Sequence, residues 1–326
     1  MVSVDVKDKV HAAAASMNGT CDVECDHVYS SSLLAAHTAG LVSQGQLAAA
    51  ARRIMTHRFK LGLFDDPRGS EYFSGIYNET TTVHSDKHAD LAREAAQQGI
   101  VIVQNPPRTS DGLVILPLSA EQTKSMALIG PMGEITDAFL GDYRPAACPG
   151  PAKKAPEGTA CLPTLRTLLA RRAPGIALHV ANGCGNGSQS VPCTPTSGPV
   201  TPAVTSAMQA SEIIVLAIGE KVTDNDDQGD TASEGRDRNS IGLPGRQADL
   251  VVAAIATKKP VVCIILSGGS VSVDALKTAA AHGSPVAVMY AGFGGETGQN
   301  AIVDLLFGDA PASGRLPFTV YPENCK

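Results

Sequence analysis

IIVLAIG (residues 213–219) and VVCIILSG (residues 261–268) are apolar at nearly every position and rich in β-branched side chains. Runs of strand length without polar alternation imply strands covered on both faces, as in a mainly parallel sheet with helices on each side. Four more runs share this character: IVIVQN at 100–105, SMALIG at 125–130, IALHVA at 176–181 and PVAVMYAG at 285–292. Helical patterns separate most of them, LPTLRTLLARR at 162–172, PAVTSAMQASE at 202–212, GRQADLVVAAIATKK at 245–259 and ETGQNAIVDLLFG at 296–308. A serine-capped, alanine-rich helix from Ser85 to about Gln98 leads into the first run. The alternation predicts an α/β fold, a doubly wound and mainly parallel sheet sandwich over residues 86–326.

Upstream the pattern changes. Residues 30–60 place apolar side chains at helical spacing, interrupted at Gly40 and again around Gly45, which predicts two helices and a turn. KLGLFDDPRGSEYF at 60–73 ends that periodicity with Asp-Pro and Gly. The polar, Thr-rich stretch that follows is read as a linker at 74–85, so residues 1–73 form a separate region.

At 326 residues the chain is long enough for two units or for one and a part. Hydrophobic residues at 43 % and charged residues at 18 % place it in the soluble globular class. The net charge of −6, without a clustered basic stripe, argues against nucleic acid or an anionic membrane as partner. No apolar run approaches the ~18 residues a membrane span needs. The first ten residues, MVSVDVKDKV, have no basic flank and no long apolar stretch of the signal-peptide kind.

Six of the eight cysteines fall as close pairs in loop-like surroundings, Cys21 with Cys25, Cys148 with Cys161 and Cys184 with Cys193, the spacing of short disulfide loops in an oxidising compartment. Asn18, Asn78 and Asn186 open Asn-x-Ser/Thr sequons and are candidate glycosylation sites. Both features point to a secreted protein. Cys263, inside VVCIIL, reads as a buried free thiol. No metal site is expected, because there is no C-x2-C pair and the eight histidines lack ligand spacing.

After IIVLAIG the chain enters a loop carrying Asp224, Asp226, Asp227 and Asp230, followed by EGRDRNSIGLPGRQ at 234–247. A buried strand feeding a carboxylate-rich loop places acids at a sheet's C-terminal edge, where ligands reach them. The spacing lacks the Asp-x-Asp-x-Asp-Gly order of a calcium loop. Glu234 has two readings: a general acid whose proton is retained in a cleft crowded with other carboxylates, or a solvated partner of Arg236 or Arg238. GCGNGS at 183–188 has glycines at dinucleotide-loop spacing but no helix directly after it, and ILSGGS at 265–270 is no Gly-x-Ser-x-Gly elbow. The glycines of 265–270 read instead as positions where backbone approaches a neighbouring loop or a ligand.

Taken in order, the motifs resemble family 3 glycoside hydrolases, most closely their β-xylosidase branch. MNGTCDVEC at 17–25 with the helical stretch to FDDP at 64–67 is similar to the tail of that family's (β/α)8 barrel. HADLAREAAQQGIVIVQN, ALIGP, the acidic loop ending in LPGRQ, ILSGGSVSV, YAGFGGETGQNAIVDLLFG and SGRLPFTVYP follow in the order of its second domain, an α/β sandwich. The resemblance implies retaining hydrolysis of terminal β-D-xylose or β-D-glucose from plant-wall oligosaccharides, without a cofactor. Glu234 would be the general acid/base and Asp237 and Arg238 would bind substrate. It also exposes departures. The family's nucleophilic aspartate lies in a Ser-Asp motif upstream of the segment matched by MNGTCDVEC, and no such motif is found here. Because retaining hydrolysis needs two carboxylates, the chain alone is expected to be inactive unless the missing barrel portion is supplied, for instance on another chain. A non-catalytic carbohydrate-binding or interaction module is the alternative. Gln97 and Gln104 stand where the family commonly has cations near its sugar cleft, and the helices at 30–60 are expected to leave an apolar face uncovered.

Overall fold

The structure, a computed structural model, describes residues 7–25, 27–73, 82, 85–108, 111–136, 140–141, 162–183, 200–220, 237–281 and 284–324. The chain divides into two compact units, Met1–Tyr77 and Asn78–Lys326.

The first unit is helical. Helix α1 (Lys9–Asn18) starts at Asp8, whose carboxylate accepts the amide of His11 at 2.9 Å. Helix α2 (Val28–Thr38) ends ahead of Gly40, which takes the left-handed φ of +74° that the turn requires. Helix α3 (Gln44–Lys60) opens with a capping box, Ser43 Oγ accepting the Gln46 amide while the Gln46 side chain accepts the Ser43 amide. The small core consists of Ala13, Ala14, Met17, Ala36, Val42 and Ala50. Large apolar side chains remain outside it, with Leu34 78 %, Leu61 74 % and Phe59 65 % exposed. Cys21 and Cys25, expected as a disulfide pair, are separate exposed thiols in this structure, and Cys21 Sγ donates to the carbonyl of Val23 at 3.2 Å. Asn18 is exposed and its side-chain oxygen accepts from Gln46 at 2.6 Å. Cys148, Cys161, Cys184, Cys193, Asn78 and Asn186 lie outside the described residues.

The second unit is an α/β layer structure. Its six strands are β1 (Val101–Gln104), β2 (Ser125–Ile129), β3 (Ala177–Ala181), β4 (Ile213–Gly219), β5 (Val261–Leu266) and β6 (Val286–Tyr290). They lie in the order β1-β6-β5-β4-β2-β3, all pairs parallel except β1 with β6, which is antiparallel. Each apolar run in the sequence became one of these strands. The helices are α4 (Asp86–Gly99), α5 (Leu165–Arg172), α6 (Pro202–Gln209), α7 (Gln247–Ala256), α8 (Asp274–Ala281) and α9 (Gly298–Phe307). Helix α8 had no counterpart in the sequence reading.

Pleating sends successive side chains to opposite faces. In β4, Val215 and Ala217 join one core with α5 and α9, whereas Ile214, Leu216 and Ile218 join another with α6, α7 and α8. Strand β5 divides in the same way, Val262 and Ile264 against Cys263 and Ile265. Burial on both faces is why neither strand alternates in sequence. On the outer side of the first core, Arg93 and Gln97 of α4 converge on the buried Asp304 of α9. Arg93 Nε donates to Oδ2 at 2.7 Å, its Nη2 bonds Oδ1, and Gln97 Nε2 donates to Oδ2 at 2.6 Å. Gln104 Nε2 donates to the carbonyl of Val286 at 2.9 Å. Gln97 thus joins two helices, and Gln104 ties an edge strand to its neighbour.

Candidate functional site

The parallel strands β4 and β5 end side by side, and the chain leaving β4 is fixed at once. Gly219 has a φ of +140°, and a Cβ there would stand 1.9 Å from the carbonyl oxygen of Leu266. Only glycine fits so close an approach. The amide of Glu220 donates to that same carbonyl at 2.7 Å. Gln247, the first residue of α7 and fully buried, brackets Gly219: its Oε1 accepts the Gly219 amide and its Nε2 donates to the Gly219 carbonyl, both at 2.8 Å. The last residue of EGRDRNSIGLPGRQ thus returns the chain to the strand end from which the acidic loop departs.

The buried carboxylate of Glu220 holds a second tie. Arg238 Nε lies 3.4 Å from Oε1, and the hydroxyl of Ser267 donates to Oε2 at 3.0 Å. Arg238 Nη2 also donates to the carbonyl of Ser270 at 2.8 Å. These side chains are 4 % and 11 % exposed for Glu220 and Arg238, so the ion pair sits in a medium where its attraction is screened far less than at the surface. Arg238 Nη1 and Ser270 Oγ are buried here without a hydrogen-bond partner among the described residues.

The loop after β5 forms the facing wall. Val271 donates its amide to the hydroxyl of Tyr290 at 3.0 Å, and that hydroxyl donates to the carbonyl of Gly269. Burial pushes the Tyr290 phenol above its ordinary value, which keeps it a neutral donor. Between the walls lies a cavity of about 320 Å³, bordered by Glu220, Asp237, Arg238, Gly268, Gly269 and Phe293 together with Ser240 and Ile241. The volume falls at the small end of the ~300–1,000 Å³ usual for small-molecule sites. Among the described residues its charged groups are two carboxylates and one guanidinium, so it suits a neutral ligand rich in hydroxyls better than an anion.

Of the residues expected from sequence to act, Asp237 and Arg238 line this cavity, Asp237 exposed at the rim and Arg238 largely buried. Glu234 lies outside the described residues, as do the four aspartates of the loop. Sequence reasoning missed Glu220, Ser267, Tyr290 and Phe293. The signal for Glu220 was present: a carboxylate placed directly after seven apolar residues is held at a strand's C-terminal end. Among the described residues no cluster of three or more His, Cys, Asp or Glu side chains could hold a metal ion, and no helix is long and apolar enough to cross a membrane.

Comparison with known proteins places this geometry in context. The model of the glycosyl hydrolase family 3 C-terminal domain matches residues 75–325. Beta-D-xylosidase 1 of Arabidopsis thaliana is 31 % identical over 315 residues, which are 96 % of this chain and 35 % of that protein. Beta-xylosidase/alpha-L-arabinofuranosidase 1 of Medicago sativa subsp. varia is 30 % identical over 324 residues, 98 % of this chain and 36 % of that protein. Among solved structures, a GH3 exo-beta-xylosidase in complex with a xylobiose aziridine activity-based probe superposes with a TM-score of 0.67 at 27 % identity, covering 97 % of this chain and 36 % of that one. The chain thus spans about a third of the length of the curated relatives it matches.

Proposed function

The chain belongs to glycosyl hydrolase family 3, and on that premise we propose that its cavity serves the hydrolysis of a terminal β-D-xylosyl or β-D-glucosyl bond in a plant-wall oligosaccharide, with retention of configuration. The observation that carries the reading is the buried contact between Glu220 and Arg238 at the ends of β4 and β5. Glu220 precedes residues 221–236 and Arg238 follows them, and their contact holds both ends of that segment beside a cavity suited to a neutral ligand. In this reading Glu234 is the general acid/base, and Asp237 and Arg238 contact the substrate. Retaining hydrolysis needs two carboxylates ~5–5.5 Å apart. The nucleophile is proposed to come from the barrel segment implied by the family resemblance, so the 326-residue chain is inactive by itself. An extracellular setting is part of the proposal, supported by the three sequons.

A chimera tests it, in which residues 1–326 replace the matching segment of Beta-D-xylosidase 1 from Arabidopsis thaliana. Release of nitrophenol from the β-D-xyloside or β-D-glucoside, lost in Glu234→Gln, is the expected result. A folded chimera without activity on either substrate would speak instead for a non-catalytic carbohydrate-binding module.

A further inference from the structure

We propose that Phe293 is the stacking face of a single-sugar subsite in the β4–β5 cavity, and so a residue that determines which ligands the site accepts. The inference rests on the glycoside reading of that cavity. Among the described residues Phe293 is the one aromatic side chain that lines it. The loop after β6 is built around this ring. Gly292 and Gly295 take left-handed φ values of +61° and +70°, and a Cβ at Gly294 would stand 2.7 Å from the Cα of Gly298. A side chain at any of these three positions would strain the turn, so the glycines present Phe293 to the cavity while the chain doubles back into α9.

The opposite wall was shaped to receive the ring. A Cβ at Gly268 would lie 2.8 Å from Phe293 Cε2 and 3.2 Å from Cδ2. The absence of a side chain at Gly268 therefore lets the ring lie against the backbone of the loop after β5. That loop is held in turn by Tyr290 and by the Ser267 hydroxyl, which accepts the Gly269 amide at 3.3 Å. A half-buried aromatic ring that shares a small cavity with the carboxylates of Glu220 and Asp237 matches the two surfaces of a pyranose: C–H groups against the ring and hydroxyls towards the acids. Among the described residues, two carboxylates against one guanidinium disfavour a uronate or a phosphorylated sugar.

The test is binding of xylobiose, cellobiose and glucuronate to the 326-residue chain, followed by calorimetry and saturation-transfer NMR. Xylobiose or cellobiose should bind and glucuronate should not. Phe293→Ala should weaken saccharide binding by about tenfold, and Phe293→Tyr should stay within about threefold of the unsubstituted chain. Gly268→Ala leaves Phe293 in place but pushes its ring aside, and should also weaken binding by about tenfold even if Phe293→Ala fails to fold. Saccharide binding that survives in both Phe293→Ala and Gly268→Ala overturns the role of Phe293 and leaves the glycoside reading standing. A folded chain that binds neither saccharide overturns both. Glucuronate binding as tight as xylobiose overturns the neutral-sugar assignment.

Discussion

Glu220 and Arg238 meet at 3.4 Å with both side chains almost wholly buried, one directly before residues 221–236 and the other just after them. Removing one member of such a pair leaves an uncompensated charge in a dry site, at a cost of ~3–5 kcal/mol. Glu220→Leu should therefore lose about 3 kcal/mol or more of unfolding free energy. The double variant Glu220→Leu with Arg238→Met should be less destabilised than the sum of the single changes, because neither charge is then stranded. Urea unfolding of the four proteins in the cycle measures this. Single variants that each lose less than ~1 kcal/mol would show that the pair does not anchor the loop.

Gln247 makes two hydrogen bonds to the backbone of Gly219, and both partners are buried. In Gln247→Leu an amide and a carbonyl at the end of β4 lose their partners, and each unsatisfied group costs ~1–3 kcal/mol. A loss of about 3 kcal/mol is expected, with faster hydrogen exchange at the Gly219 amide as its local sign. Gly219→Ala should be worse, since the added Cβ would stand 1.9 Å from the Leu266 oxygen at a φ of +140°. Unchanged exchange at Gly219 in Gln247→Leu would refute the bracket.

What the sequence disclosed and what it concealed have separate physical causes. Strands β2, β4, β5 and β6 are buried on both faces, and continuous apolar runs such as IIVLAIG carry that fact openly. Helix α8 was hidden because half of DALKTAAA is alanine, with only Leu276 large enough to mark a buried stripe. The antiparallel direction of β1 depends on how the edge strand meets β6, which composition does not encode. At the site, Asp237 and Arg238, singled out by the family resemblance, line the cavity. Phe293 reads in sequence as one more residue of a glycine-rich turn, and only the approach of Gly268 from another loop gives it a role. Gln97 sits in the stretch leading to β1, and its partner, Asp304, is more than two hundred positions further along the chain, so no local pattern discloses their contact.

Acid should selectively weaken the tie between α5 and the turn after α9. Arg172 Nε and Nη2 donate to Asp309 at 2.7 and 2.8 Å, and the same guanidinium lies 5.1 Å from the ring centroid of Phe307. Hydrogen bonding from Arg172 holds the Asp309 carboxyl below its ordinary 3.8, with desolvation opposing it in part. A carboxylate depressed in the folded state contributes its stability in full above the ordinary value, and that contribution disappears as the pH falls through the lower folded value. With side chains 38 % and 41 % exposed the pair is solvent-screened, so Asp309→Asn should cost at most ~1 kcal/mol at neutral pH. The gap between the two proteins should narrow below about pH 4. Unfolding midpoints between neutral pH and about pH 2.5 measure it, and a gap that stays constant over that range would rule the linkage out.

Cys263 should be chemically silent until the sheet opens. It is fully buried in the middle of β5 and packs among the side chains shared with α7 and α8. Burial pushes its thiol far above the ordinary value, so the reactive thiolate is scarce even in mildly alkaline solution. Cys21 and Cys25 are exposed in the helical unit and should be alkylated within minutes under the same native conditions. Peptide mapping after iodoacetamide treatment, with and without urea, separates the three sites. Labelling of Cys263 should track the unfolding midpoint and should speed up in Gln247→Leu, because that change loosens the adjoining end of β4. Rapid modification of Cys263 in the native protein would mean that β5 is not enclosed on both faces.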